Sequence, residues 1–203
     1  MVRFVLAALL ALCTPALAMA AGGATPATGA YENALLIGYD PASGVVTGYF
    51  DMVQDGPPVL SFAFYLKGRL ANGEAAIYTY YPDDPASDRI AGTLTLQGRR
   101  SLGIRLRAEH GGCGNVWQFA DQDSPLSVFA LDVAHPWTAV RVVKSGRAYF
   151  YPAPGAAAHG KAYIVGGDGV GVKATKPGWD QVDFTGGKRV ISGWVKDSDL
   201  FPG

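Results

Sequence analysis

The densest cluster of reactive side-chain types in this 203-residue chain is Glu109-His110-Gly111-Gly112-Cys113-Gly114-Asn115. A Cys beside a His could serve as nucleophile and base, the thiolate attacking and the imidazole taking the proton. Here the two stand three residues apart across two glycines. Catalytic pairs usually meet through the fold rather than along the chain. The stretch therefore reads as a glycine-rich loop between strands, with Cys113 as a small buried apolar residue. No catalytic residue is assigned, although a hydrolase using Cys113 is kept as one alternative. His110, His135 and His159 with one Cys lack any usual zinc spacing. Tyr80 to Asp88 carries Asp83, Asp84 and Asp88, but Pro82 and Pro85 stiffen it and the EF-hand spacing is absent, so it reads as a solvated turn. Gly166-Gly167-Asp168-Gly169-Val170-Gly171 lies between strands with no helix after it, so it cannot hold a phosphate at a helix N-terminus. No G-x-S-x-G elbow occurs. Neither a metal nor a cofactor is expected.

The elements around these residues are strands. Ala34–Tyr39 and Val45–Met52 flank Asp40-Pro41-Ala42-Ser43-Gly44, a turn in which Pro presets φ and Gly takes the left-handed position. Val59–Lys67 alternates, with Ser61, Ala63 and Tyr65 on one face and Phe62, Phe64 and Leu66 on the other. Asn72-Gly73 is a tight-turn signal before Ala75–Tyr81. Ile90–Leu96, Ser101–Ala108 and Val128–Val133 follow, with Leu102, Ile104 and Leu106 inward. No stretch has an apolar period of 3.6. The fold class expected is all-β: an N-terminal antiparallel β-barrel or sandwich over 31–135, then a small SH3-like barrel over 136–203. The boundary falls near His135-Pro136, since Pro stops strand pairing.

From Thr138 to Leu200 short apolar runs alternate with Gly, Pro and Asp turns: Arg141–Lys144, Ala148–Tyr151, Ala162–Val165, Gly169–Lys173, Trp179–Phe184 and Ile191–Val195. Four pieces carry a family likeness: Ala162 to Asp168, Gly178-Trp179-Asp180-Gln181-Val182, Phe184-Thr185-Gly186-Gly187-Lys188, and Ser192-Gly193-Trp194-Val195 through Leu200. Together they resemble a bacterial SH3 domain (SH3b). That resemblance covers roughly the last 65 residues and says nothing about the front half. It implies a binding module that tethers secreted proteins to cell-wall peptides or to other proteins. Fold-level analogy does not name the ligand.

Alternation places Tyr149 and Tyr151 opposite Phe150. Trp179 follows a Pro-Gly turn. Exposed Tyr and Trp side by side make a groove for extended peptides, since they bury large area at low entropy cost. The expected ligand surface is Tyr149, Tyr151 and Trp179, with Asp180 or Asp168 pairing with an amine or amide. The expected core of this half is Val142, Phe150, Ile164, Val172, Val182 and Val195. The competing expectation is that these rings dock on the front domain.

The N-terminus reads as a signal peptide over 1–20. Met1-Val2-Arg3 is positive, Phe4 to Leu12 is apolar, and Ala16-Leu17-Ala18, or alternatively Ala18-Met19-Ala20, fits small-x-small cleavage. Leu12 before Cys13 is not a lipobox residue. Residues 21–30 read as a flexible leader. A periplasmic or secreted location follows, with no membrane insertion after cleavage. Cys113 is then alone, so no disulfide forms within the mature chain. Seventeen basic and seventeen acidic residues balance, without a basic stripe. Nucleic acid and anionic membranes are therefore poor partners. The function expected is an exported, non-catalytic binding protein for cell-wall (peptidoglycan) peptide or a periplasmic protein. The alternative from another class is an inhibitor or immunity protein that plugs a cell-wall-degrading enzyme.

Overall fold

A computed structural model describes residues 24–86, 89–111, 117–120, 123, 126–186 and 189–203. The segment read as a signal peptide and Cys113 lie outside the described residues.

The chain is all-β. Eight strands form a closed antiparallel barrel in meander order: β1 (Gly29–Tyr31), β2 (Leu35–Asp40), β3 (Val45–Gln54), β4 (Leu60–Ala71), β5 (Glu74–Tyr80), β6 (Ile90–Leu96), β7 (Ser101–Leu106) and β8 (Ser127–Ala134). β1 closes the barrel by pairing with both β2 and β8. Pairing therefore begins at Gly29, inside the segment read as a leader. Thr28 is tied as well, its hydroxyl donating to the His135 carbonyl at 2.5 Å.

Eight strands leave an interior just wide enough for side chains to fill. Phe50, Phe64 and Phe119 meet there with ring centroids 5.1–5.4 Å apart. On β4, Phe62, Phe64 and Leu66 point inward, as alternation requires, and Leu102, Ile104 and Leu106 do the same on β7. His110 is buried among them. Its Nε2 lies 2.8 Å from Thr79 Oγ1, and its ring stacks on Phe64 at 5.6 Å. His110 thus sits on a segment after β7, outside the strands, and sends its ring into the barrel core.

The rest of the chain adds β9 (Ala139–Val142), β10 (Ala148–Tyr149), β11 (Tyr163–Ile164), β12 (Gly169–Lys176), β13 (Trp179–Phe184) and β14 (Ile191–Lys196), then one 3₁₀ turn at Asp197–Asp199. They form a four-stranded sheet, β14-β13-β12-β9, and a two-stranded sheet, β10-β11. A bridge between Tyr151 and Trp194 joins the two. Phe150, Ile164, Val172, Val182 and Val195 fill the space between, with Val143, Ala148, Val170 and Leu200.

Val142 belongs elsewhere. It faces the other side of the sheet, in a third cluster with Trp137, Val140, Tyr49, Tyr65 and Tyr80. This cluster is the seam between the barrel and the C-terminal unit. Tyr65 donates its hydroxyl to the Val140 carbonyl at 2.9 Å, and the Val140 N–H donates to Thr47 Oγ1 at 2.8 Å. Gly38 lets β2 touch β9, because a Cβ there would run into the Ala139 backbone.

Candidate functional site

Antiparallel register decides which side chains of the C-terminal unit share a face. Tyr151 lies opposite Trp194, which lies opposite Gln181. One row along, Lys196 lies opposite Trp179, which lies opposite Lys176. Facing residues point the same way, so Tyr151, Trp194, Trp179, Lys176 and Lys196 share one face. Val182 and Val195, one residue out of phase, point into the core.

The rings on this face touch in sequence. Tyr163 packs against Tyr149 at 5.7 Å, and Tyr149 stacks on His159 at 4.0 Å. His159 meets Tyr151 edge-on at 5.7 Å, and Tyr151 meets Trp179 edge-on at 4.9 Å. Tyr163 is 44 % exposed, and the other tyrosines and tryptophans are half-buried. Three exposed cations lie over the rings: Arg147 over Tyr163 at 4.8 Å, Lys176 over Trp194 at 5.5 Å, and Lys196 over Tyr151 at 5.7 Å. Such a strip can hold an extended ligand against several flat apolar surfaces and offer positive charge along its length. None of its rings enters the seam cluster, which is built from Tyr49, Tyr65, Tyr80 and Trp137.

The structure thus brings Tyr149, Tyr151 and Trp179 together. It does not bring Asp180 or Asp168 to them. Asp180 is 1 % exposed and accepts from Arg141 Nη1 at 2.6 Å, on the opposite face of β13. It serves as the internal counter-ion of Arg141, which also pairs with Asp197 and donates to the Phe201 carbonyl. Asp168 caps its own turn, its Oδ2 accepting the Val165 N–H at 2.7 Å. It lines a different cleft of about 550 Å³ between the two halves, with Tyr49, Asp51, His135 and Arg189. Burial, and secondarily the charge of Asp168, pushes the Asp51 carboxyl above its ordinary range. On the opposite flank of the seam a cleft of about 630 Å³ runs past Lys67, Arg141 and Asp180.

The remaining acidic groups are also tied internally. Asp183 accepts from Trp137 Nε1 at 3.1 Å, pairs with Lys173 at 2.6 Å and accepts from Ser192 at 2.5 Å. Burial pushes its pKa up, but these donors outweigh burial and hold it below the ordinary range. Asp199 accepts from the Ser145 hydroxyl at 2.6 Å. Residues 136–203 contain nine basic and five acidic residues. All five acids have internal partners, so the cations on the strip dominate its field.

Trp194, Tyr163, His159, Arg147, Lys176 and Lys196 were not assigned to the ligand surface from sequence. Trp194 and Tyr163 carried a signal, each being the out-of-phase neighbour of a core residue, Val195 and Ile164. His159 carried none, since it arrives from a loop. No family model matches this chain, and neither does any curated protein or solved structure.

Proposed function

We propose that this is an exported, non-catalytic binding protein whose C-terminal unit holds cell-wall peptide or a protein partner on the strip formed by Tyr149, Tyr151, Trp179 and Trp194. The observation that carries the reading is the run of ring contacts from Tyr163 to Trp179, none of whose rings belongs to the seam cluster. Soluble domains rarely leave so many aromatics together without a use for them. The SH3b resemblance of this half of the chain favours a tethering role. The signal-peptide pattern favours a periplasmic or secreted location, where cell-wall peptide is at hand.

The test is retention on isolated peptidoglycan and pull-down from periplasmic extract, wild type against Tyr151→Ala and Trp179→Ala. A central aromatic anchor contributes about 2 kcal/mol or more, so each change should weaken binding at least ~30-fold. The melting temperature should stay within a degree or two. Unchanged retention with a melting temperature lowered by several degrees would defeat the reading.

A further inference from the structure

The bridge at Tyr151 leaves the rest of the β14 edge open. Trp194 gives both its N–H and its C=O to Tyr151, at 2.9 and 2.7 Å. Backbone groups along a strand alternate sides with period two, so Ser192 points its own N–H and C=O the same way. A continuing antiparallel ladder would put Ala153 opposite Ser192. Pro152 and Pro154 flank Ala153, and its carbonyl instead accepts from the Ala156 N–H at 3.2 Å as the chain turns away. Among the described residues no backbone group takes its place at Ser192. Val190, Ile191 and Ser192 are all exposed.

Charge points to the same ligand class. Lys176, Lys196 and Arg147 have no ion-pair partner among the described residues, while every acid of the unit is held internally. A residue seated opposite Ser192 would direct its side chain to the face of Trp194, diagonal to it at roughly 7–8 Å between Cα atoms. The Lys176 ammonium lies over that indole.

We infer that the β14 edge at Ser192 takes up an extended acidic segment of a partner protein as an added strand, its carboxylates meeting Lys176 and Lys196 above the aromatic strip. The inference rests on the binding role proposed for the strip and selects between its two ligand classes. Strand addition gives affinity through main-chain bonds and specificity through alternate side chains. A segment of L-residues keeps that alternation. A cell-wall stem peptide, with D-residues and a side-chain amide link, does not.

The experiment uses the full chain against an array of L-heptapeptides in which Glu alternates with apolar residues. Parallel arrays carry Gln for Glu, N-methyl groups on the ladder-facing amides, or a stem peptide. Glu members should bind at least ~10-fold tighter than their Gln counterparts, a gap of about 1.4 kcal/mol. N-methylation should remove binding, and exchange of the Ser192 amide should slow on binding. Lys176→Met with Lys196→Met, both at exposed positions, should erase the Glu–Gln difference. Equal binding of Glu and Gln members, tolerance of N-methylation, binding of the stem peptide alone, or binding by no member overturns the inference. The strip reading fails separately, when Tyr151→Ala and Trp179→Ala leave retention and pull-down unchanged.

Discussion

Trp137, 1 % exposed, lies against Gly171 of β12 and donates its indole N–H to Asp183 of β13 at 3.1 Å. One side chain from the connector thereby fastens the outer face of the four-stranded sheet to the barrel. A Cβ at Gly171 would overlap the indole ring. Trp137→Ala removes a large buried ring and should destabilise the protein by about 3–5 kcal/mol. Gly171→Ala should weaken the seam by displacing the same ring. Urea denaturation followed by tryptophan fluorescence measures both; a loss under 1 kcal/mol in Trp137→Ala would count against this role.

The seam also bears on how separable the C-terminal unit is. Cutting before Pro136 exposes Trp137, Val140 and Val142 together. A 136–203 fragment should be less stable than the same residues in the full chain and prone to associate through that patch. Sedimentation and a thermal melt of the fragment check this. A monomeric fragment with the full chain's melting temperature would show that the seam adds nothing.

Acid should loosen the seam through Asp183. Its folded carboxyl is held below the ordinary range, so its contribution is complete above the unfolded value of about 4 and is lost as pH falls through the lowered folded value. Stability measured in urea should therefore drop between pH 5 and pH 3. Asp183→Asn should flatten that part of the profile and cost about 2 kcal/mol at neutral pH. An unchanged acid slope in the variant would place the titrating group elsewhere.

Arg141 and Asp180 should prove coupled. Arg141→Met strands a carboxylate that is 1 % exposed, at a cost of about 3 kcal/mol. Asp180→Asn added to it should recover part of that loss. A double-mutant cycle reads the coupling directly, and additive losses would mean that Asp197 alone satisfies Arg141.

Tyr65→Phe deletes a buried donor to the Val140 carbonyl and should cost about 1–2 kcal/mol. Tyr78→Phe, at a ring 54 % exposed on the neighbouring strand, should cost nothing measurable. Equal effects in the two variants would remove the seam hydrogen bond from the account.

Strand existence and phase were legible in the chain because a strand's faces alternate with period two, and that period is written locally. Phe62, Phe64 and Leu66 separated from Tyr65 on those grounds, and Phe150 separated from Tyr149 and Tyr151 in the same way. Alternation says which face a residue takes, not what covers that face. Val142 was therefore assigned to the wrong core, since its covering partners, Tyr49 and Tyr65, stand some ninety and eighty residues earlier. Tertiary pairing also decided the carboxylates. Asp180 follows Trp179 in sequence and so points to the opposite face, where Arg141 of β9 comes within 2.6 Å. His159 joined the strip because a loop carried it onto Tyr149, and no periodicity records where a loop will land. The sequence by itself determined the all-β class and the approximate place of most strands after β1. Barrel closure through β1, the Trp137 seam and the open edge at Ser192 came only from pairing between distant strands, where energy depends on partners that local patterning does not name.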